Sequence, residues 1–306
     1  MQTFTQILTV QAIIGVFSNF RMNPLVNDEF DTKGKQVLEE KLLTFVVQNK
    51  PIKFSIMGFP MKSPNDRDKV IGNMPDLAEE ITLKNFEVFN QAVKVVYPPG
   101  ISVSIISDGF AFNDVMQVTD RVVEQYQEIS MDMSKDMSIN WFNLKDFYDK
   151  KITVDSMRTK LIDQFGITTE ELEHRILFDQ DVNMLYKGMI RFMNLDIAIR
   201  DFNSKTQLQK AAKIMARTMM FRNEAYSKLV QSEFSDHIRL SMHPSINNGT
   251  KFSFQLIRSE HAWTSAWHCA LMIREDGQFE TIHRKDAELR GLELIYNNNQ
   301  PYYYQQ

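Results

Sequence analysis

Cysteine is almost absent: Cys269 is the one thiol in 306 residues, so no disulfide can close within the chain. Zinc frameworks built on paired cysteines are excluded for the same reason. A lone thiol suits a reducing compartment, and the expected location is the cytoplasm. Breakers are scarce as well. With 11 glycines and 9 prolines, about half the usual share, collagen-like, loop-dominated and low-complexity chains are excluded, and most residues must sit in regular elements. Positive charge is not in excess: 35 Lys and Arg against 39 Asp and Glu give a net charge of −4, so no general attraction to nucleic acid is expected. The longest apolar stretch near the N-terminus, residues 7–17, is too short for a bilayer and lacks the basic flank and cleavage site of a signal peptide. It reads as a buried helix. Neither G-x-G-x-x-G nor G-x-x-x-x-G-K-[ST] occurs, which removes the usual dinucleotide and P-loop cradles.

Hydrophobic residues at 43% and charged residues at 24% are the proportions of a soluble globular protein. Residues 33–143 alternate between the two periodicities. Val37, Leu38, Leu42, Phe45 and Val46 have helical spacing within 33–48, and 52–59 (IKFSIMGF) reads as a buried strand stopped by Pro60. Asp76 with Glu79 three residues on is an N-cap signal for a helix to Val96. After Tyr97-Pro-Pro-Gly100, residues 101–107 (ISVSIIS) form a second β-branched strand, and 114–130 is helical again. Residues 153–234 hold only Gly166 and Gly188 as breakers and read as helices, with Gly166 ending one and Thr168 or Thr169 capping the next. The stretch 205–234 reads as one long amphipathic helix. Strands return at 238–242, 251–257, 267–273 and 278–283, the last two joined by Asp276-Gly277, a hairpin signal. The expected fold is α/β: a Rossmann-like parallel-sheet core (33–143), a large helical insertion (153–234) and additional C-terminal β-strands (238–296), in one domain spanning 1–306.

In an open α/β sheet, ligands bind beyond the carboxyl ends of the strands. Strand 52–58 runs into Gly58-Phe-Pro-Met-Lys-Ser-Pro-Asn65, which offers Lys62 and Ser63. Strand 101–107 runs into Ser107-Asp108-Gly109. Lys62 reads equally as a solvated loop charge, and Asp108 as the cap of the following turn. Arg239, His243, Lys251 and His268 lie on or beside the later strands. Arg239 and Ser241 alternate with Ile238, Leu240 and Met242 and therefore share a face. Such a cationic group suits a phosphate or carboxylate, against the alternative of structural histidines and surface arginines. Other patterns are set aside. Glu171 and His174 match E-x-x-H, but a di-iron bundle needs that motif twice. Lys210, Lys213 and Arg217 form a solvated helical stripe. The 18 methionines suit core packing more than a metal. A metal pair of His261 and His268, beside Trp263 and Trp267, has no carboxylate or cysteine partner. His268 and Cys269 would point to opposite faces of a strand, which disfavours a Cys–His nucleophile.

Several blocks in order, Phe59-Pro-Met-Lys-Ser-Pro-Asn65, Gly72-Asn-Met-Pro-Asp-Leu-Ala-Glu-Glu80, Tyr97-Pro-Pro-Gly100 through Ser107-Asp-Gly-Phe-Ala-Phe-Asn-Asp114, Ile238-Arg-Leu-Ser-Met-His-Pro244 and Ala266-Trp-His-Cys269, resemble the pyoverdine/dityrosine biosynthesis protein family. The resemblance runs from about residue 35 to 290. One departure is Ser265-Ala266, where the family usually has threonine-proline. The resemblance implies an isocyanide (isonitrile) synthase. Such an enzyme converts the α-amino group of tyrosine or tryptophan to an isocyanide, with ribulose 5-phosphate as carbon donor and no metal or redox cofactor. A related branch makes N-formyltyrosine, and a non-catalytic sugar-phosphate-binding protein is the alternative from another class. Family pathways pair the enzyme with an Fe(II)/2-oxoglutarate-dependent oxygenase. On this reading Lys62, Asp108, His243 and His268 are the expected acid/base residues, and Ser63, Ser107, Arg239 and Lys251 the expected substrate-binding residues.

Overall fold

The structure, a computed structural model, describes residues 3–196, 204–257 and 265–306. Helix α1 (Phe4–Ser18) starts at a Thr3–Gln6 capping box, and its buried face carries Val10, Ile13, Ile14 and Phe17. After a π-helical turn at Phe30–Gly34, α2 (Lys35–Gln48) ends on Asn49, whose left-handed φ of 53° stops the helix. Strand β1 (Ile52–Met57) leads through a long loop to α3 (Leu77–Val96). The expected cap is present: Asp76 accepts from the Ala78 amide and Glu79 from the Asp76 amide. Next come β2 (Ile101–Ser107), the short α4 (Gly109–Phe112), α5 (Asp120–Met133) and β3 (Ile139–Asn143).

The breaker-poor middle folds into α6 (Val154–Phe165), α7 (Thr169–Phe178), α8 (Gln180–Asp196) and the long α9 (Lys205–Glu233). Gly166 ends α6 and the Thr168 hydroxyl caps α7, as the sequence predicts. Strands β4 (Ile238–Ser241) and β5 (Phe252–Ser253) complete the first sheet. Then β6 (Ala270–Ile273), β7 (Phe279–Ile282), α10 (Arg284–Leu289), β8 (Glu293–Asn297) and β9 (Gln300–Gln305) follow. Among the described residues no helix is long and apolar enough to cross a membrane.

The first sheet is parallel throughout, with order β3-β2-β1-β4-β5. The chain moves outward from β1 through β2 to β3, then returns to lay β4 on the other side of β1. That reversal opens a crevice at the carboxyl ends of β1 and β4. One face of the sheet is apolar: Phe54 stacks on Phe17 of α1 with centroids 6.2 Å apart and meets Phe89 of α3 at 5.4 Å. The opposite face carries a polar row, since Ser55 pairs in register with both Ser104 and Arg239. Helix α9 covers this second face, where Ser227 meets Arg239 and Phe234 meets Phe142. A second sheet, β7-β6-β9-β8, contains the hairpin turned by Gly277 at φ +80°.

Four expectations need correction. The helix expected from 114 starts at Asp120, because the Asn113 amide donates to both Val118 O and the Asp120 carboxylate and closes a turn first. The strand expected over 251–257 is only two residues long, because the Gln255 amide turns away to Phe20 O. Residues 266–268 are a 3₁₀ turn and not strand, so strand alternation does not govern His268 and Cys269. The buried strand expected to reach residue 59 ends at Met57. Strands β3, β8 and β9 have no counterpart in the periodicity, although Asn298 and Asn299, both with positive φ, form the hairpin turn between the last two.

Gly109 is required sterically. A Cβ there would lie 2.3 Å from Pro60 O and 2.7 Å from Val123 Cγ1. It would push apart the loops that leave β1 and β2. Gly109→Ala should lower stability by roughly 1–3 kcal/mol, the usual cost of overpacking, and reduce turnover. Gly188→Ala, inside α8 with nothing within 4 Å of the added Cβ, should instead stabilise by about 1 kcal/mol. Urea denaturation of the two variants checks both signs.

Candidate active site

Where β1 ends, Gly58 lies under Trp267: a Cβ on it would stand 2.9 Å from Trp267 Cη2. Phe59 follows with φ +54°, a conformation that costs a non-glycine residue roughly 1–3 kcal/mol. Its ring is held between Trp267 at 5.1 Å and Trp141 at 5.4 Å. This strained corner aims the following loop, residues 60–65, across the crevice.

Asp108 sits at the carboxyl end of β2. It occupies the N-cap position of α4, but its side chain makes no capping bond. Its Oδ1 is buried and has no hydrogen-bond partner among the described residues. Burial pushes its pKa from 3.8 up to about 7, against its own backbone amide, which lowers it. Tyr126 and Tyr226 stand close enough that the Asp108 charge raises both phenols further, burial being the main cause. A carboxyl poised near neutrality at a strand end, free to take a proton, is the chemistry of a general base.

Arg239, Lys251 and His243 converge on the other side of the crevice. Lys251 directly precedes Phe252, the register partner of Leu240, so it stands beside Arg239. Burial lowers the pKa of Arg239. Burial and then the Arg239 charge lower Lys251, and burial and then Lys251 lower His243. His243 and Lys251 nevertheless keep solvent access, as side chains on a concave wall do. Arg239 Nη2 donates to Ser227 Oγ at 2.8 Å and reaches Met57 Sδ at 3.2 Å. Neither Arg239 nor Lys251 pairs with a carboxylate among the described residues. Adjacent cations left without counterions make a site for an anion. Asp108 lies two strand positions from β4, about 10 Å at the usual strand spacing. Between α7, α8 and α9 a cavity of about 270 Å³ has an apolar wall of Leu172, Val182, Leu185, Met189 and Met220 and a charged wall that includes the Arg175–Glu224 ion pair, with Ser227 at the corner that touches Arg239.

His268 joins this group. Its Nδ1 hydrogen-bonds Ser265 Oγ at 2.8 Å, and its ring meets Phe192 edge-on at 5.4 Å. Burial lowers its pKa to about 4. The Asp196 charge opposes that shift, while Lys69, His243 and Lys62 add to it. Ser63 hydrogen-bonds the fully buried Asp196, which also takes Lys69 Nζ at 2.6 Å. Ser63 thus ties the loop after β1 to the end of α8.

Like Ser63, two further expected site residues are enclosed by protein. Lys62 is not a solvated loop charge: its side chain has no exposed surface and bridges Asp76 at 2.7 Å and Glu79 at 2.8 Å. Burial would lower its pKa, but those two carboxylates outweigh it and raise the group above its ordinary value. For Asp76, burial raises the pKa and the Glu79 charge adds to it, with Lys62 opposing. Ser107 donates to Phe59 O at 2.9 Å and accepts from Gln127 Nε2 at 2.6 Å, and the Tyr226 hydroxyl takes its carbonyl at 2.7 Å. Its hydrogen-bonding capacity is spent on the two strand ends.

Asp196, Lys69, Tyr126, Tyr226 and Ser227 escape the sequence reading, because each acts through a contact distant in sequence. Asp76 and Glu79 are recognisable as a helix cap, yet nothing local marks them as partners of Lys62. Among the described residues no group of three or more His, Cys, Asp or Glu side chains could hold a metal. His261 and Trp263 lie outside the described residues. Arg217 of the basic helical stripe pairs with Glu173 and with the Tyr186 hydroxyl, a structural use.

Comparison with known proteins extends this geometry. The chain is 32% identical over 270 residues to the L-tryptophan isonitrile synthase AmbI2 of Fischerella ambigua, covering 87% of this chain and 81% of that protein. It is 30% identical over 277 residues to the L-tyrosine isonitrile synthase of Pseudomonas aeruginosa, covering 88% and 84%. The crystal structure of the PvcA protein from Pseudomonas aeruginosa superposes with a TM-score of 0.90 at 27% identity, covering 97% of this chain and 99% of that one. The profile described as pyoverdine/dityrosine biosynthesis protein matches residues 42–295, a span that includes every candidate residue named above. This chain belongs to the pyoverdine/dityrosine biosynthesis protein family.

Proposed function

We propose that the chain is an isonitrile synthase that converts the α-amine of tyrosine or tryptophan to an isocyanide, with ribulose 5-phosphate as the carbon donor. The observation that carries this reading is the Asp108 carboxyl, whose buried Oδ1 has no partner among the described residues and whose pKa burial lifts to about 7, two strand positions from the Arg239–Lys251–His243 cluster. An amine must lose its proton before it attacks the sugar ketone, and a phosphate ester must be held while that happens.

In this reading Asp108 takes the ammonium proton, and Arg239 and Lys251 hold the phosphate. His243 and His268 pass the protons needed as water leaves to form the imine and in the loss of phosphate and carbon–carbon cleavage that follow. With its pKa lowered to about 4, His268 is neutral near pH 7 and offers one ring N–H donor and one acceptor nitrogen. The aromatic ring occupies the cavity beside Ser227. Ser63, Ser107 and Lys62 hold the frame. The whole chain acts as one domain in the cytoplasm, and an Fe(II)/2-oxoglutarate-dependent oxygenase consumes the product.

Mass spectrometry of protein incubated with each amino acid and ribulose 5-phosphate tests the reading. The expected product is the isocyanide. A product heavier by one water, the formamide, would assign the chain to the N-formyltyrosine branch. Sugar-phosphate binding without turnover would make it a binding protein.

A further inference from the structure

Lys62 lies in the loop after β1, yet its ammonium is spent far from that loop. It donates to Ala266 O at 3.0 Å and Cys269 O at 3.4 Å, the carbonyls on either side of Trp267-His268. The Ser63 amide takes the carbonyl between them, Trp267 O, at 2.8 Å. The loop therefore grips the 3₁₀ turn that bears His268 from three sides. The ammonium is itself fixed by Asp76 and Glu79 at the start of α3, and Glu79 is fixed in turn by the Tyr126 hydroxyl at 3.0 Å. One helix N-terminus, one strand-end loop and one catalytic turn thus meet on a single buried cation.

Apolar side chains would fill this space at lower electrostatic cost, since burying ions requires excellent geometry merely to break even. What the ions supply and an apolar plug cannot is direction: three N–H donors and two carboxylates that fix the height and tilt of the turn. The same cation adds to the positive charge of Lys69 and His243 around the His268 imidazole, against Asp196.

We propose that Lys62 is a positioning residue: clamped by Asp76 and Glu79, it holds the Ala266–Cys269 turn so that the His268 imidazole presents its Nε2 to the crevice. This rests on His268 belonging to the site of the proposed synthase, but its physical content is the placement and charge state of one imidazole. The test uses Lys62→Met and the fully neutralised combination Lys62→Met, Asp76→Asn, Glu79→Gln, which leaves no unpaired buried charge if the single variant fails to fold. Histidine-labelled protein is followed by ¹H–¹³C NMR across pH, with His268→Gln identifying the signal. In folded Lys62→Met the His268 midpoint should rise from its native position near 4, because the Lys62 charge is among the causes that lower it, and its ring signal should broaden as the turn loosens. In the combination, where two negative charges leave with the cation, the broadening is the expected result. The signals of the other histidines should keep their positions. In the turnover assay kcat should fall about tenfold or more with the amino-acid KM little changed. A folded variant whose His268 titrates and resonates as in the native protein overturns the proposal. The NMR result stands independently of which reaction the protein performs, so a failure of the synthase reading would show in turnover alone.

Discussion

Replacing Asp108 by asparagine should reduce kcat by about 10²- to 10⁴-fold, the contribution of a positioned general base, while the fold remains intact. Asparagine keeps the shape and cannot take the proton. The native enzyme should show kcat rising with pH through about 7, the value to which burial lifts this carboxyl, and the variant should lose that limb. Stability should move the other way. A folded-state pKa above the unfolded value of 3.8 means that stability is fully present below 3.8 and is lost as pH rises through about 7. Above pH 7 the native protein therefore carries an ionised carboxylate with one oxygen unpaired in the interior. Asp108→Asn should accordingly raise the melting temperature at pH 8 and leave it nearly unchanged at pH 3.5. A variant that is dead and more stable is the signature of a functional group kept at a cost in stability. Steady-state kinetics with thermal denaturation at both pH values decides it.

The second large effect concerns the anion site. Arg239→Gln and Lys251→Gln should each raise the KM for the sugar phosphate by about 10- to 100-fold. That range follows from roughly 1.5–3 kcal/mol for a hydrogen bond to a charged group. The amino-acid KM should barely change. The native KM for the sugar phosphate should rise with added salt, and the double variant should lose most of that dependence. Removal of either cation should also raise the pKa of the group it faces: Lys251 is lowered after burial by Arg239, and His243 after burial by Lys251. If both single variants keep the native KM, the cluster is not the phosphate site.

The parts of the fold that are legible in the sequence are those whose cause is local. Residues 101–107 read as a strand because β-branched Ile101, Val103 and Ile105 alternate with Ser102 and Ser104, and β2 occupies that span. Asp76 and Glu79 announce the start of α3 because a cap is satisfied within three residues. Thr168 and Gly166 mark the α6–α7 junction in the same way. Strand β3 is illegible because IleAsnTrpPheAsn lies on the sheet edge, half-buried and without a clean alternation.

The site divides along the same line. The rule of strand ends leads to Lys62 and Asp108, and the polar side chains on or beside the later strands lead to Arg239, His243, Lys251 and His268. Whether a polar side chain faces a ligand or the interior depends on partners far away in sequence. Lys62 depends on Ala266 and Cys269, Ser63 on Asp196, and Ser107 on Gln127. A loop containing a lysine looks the same in the sequence in either case.

The central claim is that the ketone carbon of the sugar phosphate becomes the isocyanide carbon at the Asp108 crevice. Ribulose 5-phosphate carrying ¹³C at the ketone position, supplied with tyrosine or tryptophan, should yield an isocyanide whose terminal carbon holds the label, seen by ¹³C NMR and by a one-unit mass increase. The Asp108→Asn enzyme should give little or none. Formation of an unlabelled isocyanide, or of no isocyanide from either amino acid, would contradict the account.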